Sequence, residues 1–473
     1  MTLMALDETS AHAAAGEDFL SAMAALLGER LSRSTAVRQQ YLALEGHQSL
    51  VVPWAVVQPH SVEEVQQIHR LCNHYAIPMI PYGAGSSVEG QVAATTRSVI
   101  VDMRGMNQVL GTDSQSMTAR VQAGVTRLQL DAALKDSGLF FPVDPGADAT
   151  LGGMAATRAS GTNAVRYGTM RENTLALQAV LANGEAIKCG AATVKAANGY
   201  DLMHLLVGSE GTLGTITELT VRLAPRPEEI AGALFSFPDI ASAVAAVVDF
   251  KQAAIPVARV ELFDASTVRA LNHYSKLGLP EQTVLMLELH GSAQAVAEQF
   301  ASVQALVAEY PGVQGMYADD KARRQQLWAA MHKRYYACKA MRPGARAIAT
   351  DVCVPLSRLA ETVQQTLDDM RTLPMPVTLH GHVGDGNFHT VALIDEGSQQ
   401  EAEAFSAYSE RLALRAIANG GTCSGEHGIG VGKQRYLERE HGPALAWMQR
   451  VKRLFDPRGV MNPGKNVDLI AIE

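Results

Sequence analysis

The ten residues HGHVGDGNFH, at positions 380–389, restrict the backbone of this chain more than any other stretch. Its three glycines would each cost about 1 kcal/mol inside a helix, which argues against a helix. Asp385-Gly386 is typical of a two-residue hairpin turn, in which both central residues take positive φ. A turn centred there pairs His382 with His389 and places Asn387 on the same face of the hairpin. The stretch therefore predicts a hairpin with one polar face.

The histidines of this hairpin have two interpretations. In the ordinary one, Val383 and Phe388 enter a core and the histidines are simply hydrogen-bonded. A second stretch, GGTCSGEHGIG at 420–430, places Glu426 and His427 side by side. Two imidazoles and one carboxylate form a common ligand set for a catalytic divalent ion. Adjacent side chains of a non-helical segment diverge, so Glu426 could face a metal while His427 faces a substrate; together the stretches favour a metal site.

The length and composition limit the class of protein. A chain of 473 residues exceeds one ordinary core, so two domains are expected. A net charge of −8 argues against a nucleic-acid surface. No apolar run is long enough to span a bilayer, and the acidic start predicts neither a signal nor a transit peptide. Five scattered cysteines without CxxC spacing predict reduced thiols, and hence a cytoplasmic protein.

Hydrophobic periodicity and turn signals predict the order of elements. The first 225 residues alternate strands, helices and glycine-rich loops, and Asn183-Gly184 closes a hairpin. LAPRPEE, at 223–229, is a plausible boundary before a second α+β domain. Ser61 and Glu64 have the spacing of a helix cap and a capping box. Helices are expected over residues 17–32, 61–75, 127–136, 238–254, 293–309 and 401–419, with a long one around 320–341.

Two stretches of small residues are candidates for ligand binding. PYGAGSSVEG, at 81–90, offers backbone N–H groups suited to a phosphate, although it is neither a Walker loop nor a good Rossmann fingerprint. In residues 144–170 nearly every side chain from Ala147 to Thr162 is small, so extended backbone could follow a flat ligand that carries phosphates. The alternatives are a tight turn for the first stretch and a crowded domain junction for the second.

Seven motifs occur in the order of a known family. They are PYGAGSSVEG, ATLGGMAATRASGT…RYG, LLVGSEGTLGTIT, TDVCVP, GHVGDGNFH, TCSGEHGIG and MNPGK, and they extend from about residue 50 to the C-terminus. The chain resembles the FAD-linked oxidases of the vanillyl-alcohol oxidase superfamily, in the branch of D-lactate and D-2-hydroxyglutarate dehydrogenases. TDVCVP, GHVGDGNFH and MNPGK look most like D-lactate dehydrogenases of the cytochrome-linked type. Any one motif is weak evidence, but seven in order are specific.

The resemblance implies an α+β fold with a PCMH-type FAD-binding domain and an α+β substrate (cap) domain containing an antiparallel sheet. It divides the chain into an N-terminal helical segment (1–48), the FAD-binding domain (49–226), the cap domain with the hairpin (227–425) and a C-terminal segment that returns to the FAD domain (426–473). Asn462 would lie in that returning tail.

The resemblance also implies which residues bind FAD. Some members of the superfamily attach the flavin to a histidine of the first glycine loop; Ser86 and Ser87 occupy that region here, so noncovalent FAD is expected. The pyrophosphate would be bound by Pro81, Gly83, Ala84, Gly85, Ser86, Ser87 and Gly90. The flavin would be lined by Pro145, Thr150, Gly152, Gly153, Ala156, Ser160, Gly161, Tyr167, Glu210, Gly214 and Ile216, with Asn462 from the tail.

For the second half, the resemblance implies a catalytic centre. His382, His389 and Glu426 match the metal ligands, for Zn²⁺ or Mn²⁺, with Asn387 beside them and His427 as the catalytic base. The implied reaction is oxidation of a D-2-hydroxy acid, with D-lactate expected first and D-2-hydroxyglutarate, glycolate or a larger apolar acid as alternatives. An electron acceptor (a cytochrome, a quinone or an electron-transfer flavoprotein) is implied, through which a cytoplasmic protein could lie peripherally at a membrane, and a homodimer is compatible. The alternatives outside this class of enzyme are a metal-dependent hydrolase and an inactive flavoprotein subunit.

One position departs from the family pattern. The helix that begins Leu-Trp usually carries an arginine three residues after the tryptophan, as the partner of the substrate carboxylate. In QLWAAMHKRYY that position is Met331. Arg334, Arg342 and Arg346 are the candidates to replace it, with ordinary solvated charges as the alternative for each. The identity of the substrate therefore stays more open than the class of reaction.

Overall fold

The structure is a computed structural model that describes residues 16–42, 51–318 and 321–467. Within these ranges the strands, in chain order, are β1 (Leu31–Ser32), β2 (Ala55–Val57), β3 (Met79–Tyr82), β4 (Val99–Asp102), β5 (Val109–Asp113), β6 (Thr118–Gln122), β7 (Leu139–Phe140), β8 (Thr174–Val180), β9 (Ala186–Gly190), β10 (Thr215–Arg222), β11 (Ala224–Pro225), β12 (Glu229–Phe237), β13 (Val257–Phe263), β14 (Thr283–Gly291), β15 (Gln314–Ala318), β16 (Arg346–Ala349), β17 (Val352–Cys353), β18 (Val377–Gly381) and β19 (Asn387–Ile394).

The helices in the same ranges are α1 (residues 16–27), α2 (Thr35–Gln39), α3 (Val62–His74), α4 (Arg127–Ala133), α5 (Leu151–Thr157), α6 (Ala164–Tyr167), α7 (Met170–Asn173), α8 (Leu202–Leu206), α9 (Ile240–Gln252), α10 (Ala265–Ser275), α11 (Ala293–Val307), α12 (Lys321–His332), α13 (Arg334–Lys339), α14 (Leu356–Met370), α15 (Gln399–Ala418), α16 (Leu437–His441) and α17 (Ala444–Phe455). Short 3₁₀ turns lie at Gly28–Arg30, Met103–Gly105, Val383–Asp385 and Gln434–Tyr436. No helix in the described ranges is long and apolar enough to cross a membrane.

Two sheets organise the first half of the chain. The first has the order β1-β2-β4-β3, in which β4 pairs in parallel with both β2 and β3. α3 connects β2 to β3, which lie on either side of β4 in this sheet. The second sheet, β5-β6-β10-β8-β9, is antiparallel throughout. The glycine loop at 81–90 starts within β3, so the sheet positions its first residues.

One large antiparallel sheet organises the second half, in the order β15-β12-β14-β13-β18-β19-β16, with β17 also paired to β19. Its two faces pack into different hydrophobic clusters. One cluster includes buried residues of α9, α11, α14 and α15, and the other includes residues of α10, α12 and α13. The sheet confirms the expected α+β class with an antiparallel sheet.

The C-terminal tail packs back on the first sheet. Met461 forms a parallel bridge with Met79 of β3, and the Asn462 backbone N–H donates to the Met79 carbonyl at 2.8 Å. The tail is therefore hydrogen-bonded to the same strand that leads into the first glycine loop.

The hairpin differs in register from the sequence prediction. The strands pair His380 with His389, and Val383–Asp385 forms a 3₁₀ turn in place of the tight two-residue turn. Gly386 alone takes the left-handed conformation, at φ 80°, whereas the expected turn needs both central residues there. The predicted pairing of His382 with His389 is therefore wrong. The interior positions of Val383 and Phe388 are confirmed, since both are fully buried.

Several helix bounds also differ from the prediction. The long helix expected around 320–341 is broken into two. Lys333, with a non-helical ψ of 7°, lies between the end of α12 and the start of α13. The helix expected over 17–32 ends at residue 27, because Gly28 has φ 56° and the chain continues through a 3₁₀ turn into β1. α3 matches closely, with Ser61 Oγ accepting the Glu64 N–H. The Glu64 carboxylate binds Arg30 and the His60 N–H, so the capping box is not reciprocal.

Candidate active site

A cavity of about 400 Å³ is lined by both halves of the chain. This volume lies in the range of small-molecule sites. The first half contributes the glycine loop at 81–89, small residues between 144 and 162, and the segment 210–216. The second half contributes residues 334–336 and 347–349, three histidines of the hairpin, and Glu426 with His427. The two groups of residues singled out in the sequence therefore share one cavity.

Most residues expected to bind FAD line this cavity. They are Pro81, Gly83, Ala84, Gly85, Ser86, Ser87, Pro145, Thr150, Gly152, Gly153, Ala156, Ser160, Gly161, Glu210, Gly214 and Ile216. The glycines let the loops approach each other: a Cβ on Gly83 would lie 2.2 Å from Thr150 Oγ1, and one on Gly161 2.5 Å from Asp144 Oδ1. Ser87 Oγ is buried with no hydrogen-bond partner among the described residues, which suits a ligand rich in polar atoms. These features fit an FAD site.

Three expected cofactor residues do not line the cavity. The Tyr167 hydroxyl lies 2.8 Å from His290 Nδ1, and the tyrosine ring packs edge-on against Phe140. Asn462 is buried behind the loops, where its Nδ2 donates to the carbonyls of Gln91 and Glu210. Gly90 is buried at the end of its loop with φ 77°. In this structure these residues support the loops that form the cavity wall.

His382, His389 and Glu426 form the expected cluster. Their ligating atoms all lie within 4.8 Å of one another. Glu426 Oε1 is 3.2 Å from His382 Nε2 and also 3.2 Å from His389 Nε2. His389 Nε2 is buried and lacks a hydrogen-bond partner in the described part of the chain. A buried imidazole nitrogen aimed at a shared carboxylate is the arrangement of ligand atoms that a divalent ion needs, so the residues fit a metal.

Two carboxylates outside the cluster hold its histidines and its loop. Glu261 of β13 is 2.5 Å from His382 Nδ1, so Nε2 is the nitrogen left to face Glu426. Asp351 is fully buried, and its Oδ2 accepts the backbone N–H groups of Glu426 and His427 at 3.0 and 2.9 Å. Metal-bound histidines commonly have such a carboxylate on the second ring nitrogen. Glu261 therefore orients the His382 ring, and Asp351 fixes the backbone of Glu426 and His427.

The carboxylates in and around the cluster favour a positive charge beside them. Burial by itself would lower the pKa of His382, but the carboxylates of Glu261 and Glu426 raise that pKa well above its ordinary value. Burial would raise the pKa of Asp351, yet the Lys433 ammonium and nearby imidazoles hold it well below its usual range. Anionic carboxylates around a buried centre would be balanced by a cation.

The two residues expected to be catalytic occupy different places. His427 lines the cavity and stacks on His389 with ring centroids 5.0 Å apart. Burial lowers the pKa of His427 to about 4. Asn387 lies outside the cavity lining; its Nδ2 donates to Asp351 Oδ1 and to the Val352 carbonyl, each at 2.7 Å. Asn387 is thus placed to hold Asp351, which in turn holds the loop of Glu426 and His427.

The two substrate-pocket candidates also separate. Met331 is 2% exposed inside the cluster of α10, α12 and α13 and does not line the cavity, because its side of α12 packs on the sheet. Arg334, at the start of α13, does line the cavity. Within the described ranges its hydrogen bonding is limited to the Met331 carbonyl at 3.5 Å. Arg342 instead pairs with Glu401 at 2.8 Å.

Sequence reasoning missed several residues of the site. Asp351 stands in the motif TDVCVP. Glu261 is one of two charged residues in the mostly apolar strand β13, a signal that could have singled it out. Glu89 and Lys433 form a buried pair at 3.1 Å beside His427. Glu210 does line the cavity, but its carboxylate accepts the N–H groups of Ile429 and Gly430. Burial raises the pKa of Glu210 to about 7, although those N–H groups oppose the rise.

Comparison with known proteins agrees with this geometry. Residues 53–190 match the family model of the FAD binding domain, and residues 226–466 match that of the C-terminal domain of FAD linked oxidases. The chain is 44% identical over 465 residues to the probable mitochondrial D-lactate dehydrogenase of Danio rerio, covering 97% of this chain and 94% of that protein. It is 41% identical over 420 residues to the mitochondrial D-lactate dehydrogenase (cytochrome) of Arabidopsis thaliana, covering 89% and 74%.

A more distant relative is the glycolate oxidase subunit GlcD of Bacillus subtilis, 33% identical over 90% of this chain and 91% of that protein. Among solved structures, p-cresol methylhydroxylase with substrate bound superposes with a TM-score of 0.81 at 18% identity, covering 96% and 98% of the two chains. That likeness shows the fold. The chain belongs to the FAD-linked oxidases, in the branch that contains the D-lactate dehydrogenases, and is an FAD-dependent oxidoreductase that acts on a CH–OH group.

Proposed function

We propose that the chain oxidises a D-2-hydroxy acid, with D-lactate as the favoured substrate, to the 2-oxo acid and uses noncovalent FAD as the hydride acceptor. The observation that carries this proposal is the position of the cluster. His382, His389, Glu426 and His427 open into the cavity that the glycine loops line. An alcohol oxidised there would lie between a site for a cation and a site for the flavin.

His382, His389 and Glu426 would hold one divalent ion, Zn²⁺ or Mn²⁺. When bound, such an ion supplies a Lewis acid that stabilises a developing alkoxide. FAD, when bound, supplies the hydride acceptor. The role of the chain in this proposal is to place these groups: Glu261 orients His382, and Asp351 fixes the loop that carries Glu426.

His427 would accept the hydroxyl proton of the substrate. The ring lies on the cavity wall and stacks on His389, so a base at this position would face the same cavity as the proposed ligands. Arg334 would bind the substrate carboxylate, since it is a cation on the same wall with no carboxylate paired to it in the described part of the chain. The contacts described above give Asn387 a role in holding Asp351 and place the Met331 side chain in the core of α10, α12 and α13.

A larger apolar 2-hydroxy acid is the second candidate. Ile348, Ala349 and Val391 line the cavity on the side of the hairpin. These residues favour a substrate with an apolar side chain. The relative named as a glycolate oxidase subunit supports glycolate as a further alternative.

The domain division is part of the proposal: 1–48, 49–226, 227–425 and 426–473. The two family models fall on either side of the proposed boundary near residue 226, which supports it. An acceptor such as a cytochrome, a quinone or an electron-transfer flavoprotein would reoxidise the flavin. The cytoplasmic location stays a prediction, and relatives named as mitochondrial give a competing one.

The test is anaerobic stopped-flow reduction of the protein-bound flavin. D-lactate should bleach the flavin absorbance in one turnover, and L-lactate, as the matched control, should not. D-2-hydroxyisocaproate and glycolate, in parallel, report the two substrate alternatives. Flavin-loaded protein that none of these 2-hydroxy acids bleaches would overturn the proposal.

A further inference from the structure

Glu89, in the first glycine loop, faces the imidazole of His427 from the opposite half of the chain. Its carboxylate is buried, with the residue 7% exposed, and it lines the cavity. Glu89 Oε1 lies 3.9 Å from His427 Nδ1. That Nδ1 is itself buried and has no hydrogen-bond partner among the described residues. A buried, unsatisfied ring nitrogen thus has a carboxylate as its neighbour.

The backbone around Glu89 is locked to the segment that follows His427. The Glu89 carbonyl accepts the N–H groups of Val431 and Gly432 at 2.9 and 3.3 Å. A Cβ on Gly430 would lie only 2.0 Å from the same carbonyl oxygen, so this contact requires glycine. Gln91 Nε2 donates to the His427 carbonyl at 2.6 Å. The position of Glu89 relative to His427 is therefore set by several independent contacts.

Building on the proposed function, we propose that Glu89 is the positioning carboxylate of His427. It accepts the Nδ1–H hydrogen bond, directly or through one water, and leaves Nε2 unprotonated and facing the cavity. The separation of 3.9 Å is one that closes when substrate binds, as catalytic hydrogen bonds commonly do. The hydroxyl proton passes to Nε2, the C2 hydride leaves to FAD, and Glu89 takes no proton.

Lys433 makes the amide variant of Glu89 informative. Lys433 Nζ donates to Glu89 Oε1 at 3.1 Å. The same Oε1 is also the carboxylate atom that lies 3.9 Å from His427 Nδ1, so in Glu89→Gln a neutral amide oxygen would take its place between the two groups. A neutral acceptor holds the Nδ1–H less strongly than a carboxylate does, so the imidazole would be less firmly oriented and flavin reduction would slow. A role limited to balancing the charge of Lys433 predicts no such effect.

The experiment is stopped-flow flavin reduction by D-lactate in holoenzyme carrying Glu89→Gln, Glu89→Asp or His427→Ala. Glu89→Gln should retain FAD and metal and bind D-lactate within about twofold, while saturating flavin reduction slows about 10- to 100-fold. Glu89→Asp should recover part of that loss, because it restores a carboxylate as the acceptor. Glu185→Gln, an exposed glutamate in a hairpin turn, is the matched control and should be unchanged.

The outcomes separate the two proposals. If Glu89→Gln reduces its flavin at the wild-type rate, loses FAD or metal, or is no slower than Glu89→Asp, the positioning role is overturned. A tighter binding of D-lactate with an unchanged rate would mean that Glu89 only balances Lys433, and would overturn it too. If His427→Ala also reduces its flavin normally, the failure lies in the proposed function.

Discussion

Glu426 Oε1 lies at equal distance from two imidazole nitrogens, 3.2 Å from each, and this sharing makes the cluster sensitive to single changes. We predict that His382→Ala, Glu426→Gln or chelation removes turnover and leaves FAD bound, because the loops that line the flavin region are separate segments. Flavin absorbance and metal content by ICP provide the measurement. Glu396→Gln, an exposed glutamate after β19, is the control. Full activity in verified metal-free protein would exclude the metal role.

Arg334 is the cation placed to bind a substrate carboxylate. A charged hydrogen bond is worth roughly 1.5–3 kcal/mol, so Arg334→Met should weaken D-lactate binding about 10- to 150-fold. The dissociation constant from the dependence of flavin reduction on D-lactate concentration is the readout. Lys339→Met, an exposed residue of the same helix, should change little. Unchanged binding in Arg334→Met would show that another group holds the carboxylate.

At the scale of elements, the hairpin turn depends on one glycine. Gly386 has φ 80°, and a Cβ there would lie 2.0 Å from the Val354 carbonyl. We predict that Gly386→Ala lowers the free energy of unfolding by more than the roughly 1–2 kcal/mol that a left-handed alanine costs by itself, because the Val354 backbone must also shift. Thermal unfolding measures the loss. Gly397→Ala, where the nearest atom is 3.5 Å away and φ is not positive, is the control and should leave the melting temperature nearly unchanged.

The contact between the Gly28–Arg30 turn and α3 is an ion pair with a predictable dependence on pH. The hydrogen bond from Arg30 lowers the pKa of Glu64 to about 2. A carboxyl group whose pKa is lower in the folded than in the unfolded chain stabilises the fold at every pH above its unfolded-state pKa, here about 4.3. That contribution to the free energy of unfolding is lost as the pH falls toward 2.

Since both side chains are partly exposed, we predict that Glu64→Gln lowers the free energy of unfolding by about 1 kcal/mol at pH 7. The difference in that free energy between variant and wild type should shrink between pH 4 and 2. Urea unfolding across that range tests this. Glu63→Gln, on the exposed face of α3, is the matched control. A difference that does not change with pH would assign the loss to packing.

At the scale of the whole molecule, Asn462 joins three distant segments. Its backbone N–H binds Met79, and its Nδ2 binds the carbonyls of Gln91 and Glu210 at 2.9 and 2.7 Å. Asn462→Ala leaves both carbonyls without their buried donor, at about 1–3 kcal/mol each, so FAD should bind at least tenfold more weakly. Fluorescence titration of apoprotein with FAD measures this. Equal affinity would mean that the loops hold their shape without the tail.

The hairpin shows what local signals in the sequence can predict. Glycine spacing and adjacent polar residues singled out His382, His389 and Glu426, and the structure brings the three side chains together. The predicted register of the hairpin was two residues out. A slip of two keeps each side chain on its face, since the strand period is two, so the same histidines still reach the site.

Local chemistry along the chain therefore determined the capped helices such as α3, the loops where no Cβ fits, and the residues that can ligate a metal. Only the tertiary structure decided that Glu261 holds His382 and Asp351 holds the loop of Glu426, that Glu89 faces His427, and that Met331 is buried while Arg334 reaches the cavity. Those contacts join residues far apart in sequence, and they form because sheets and helices bury their apolar faces together. No local pattern encodes which distant carboxylate that packing brings beside an imidazole.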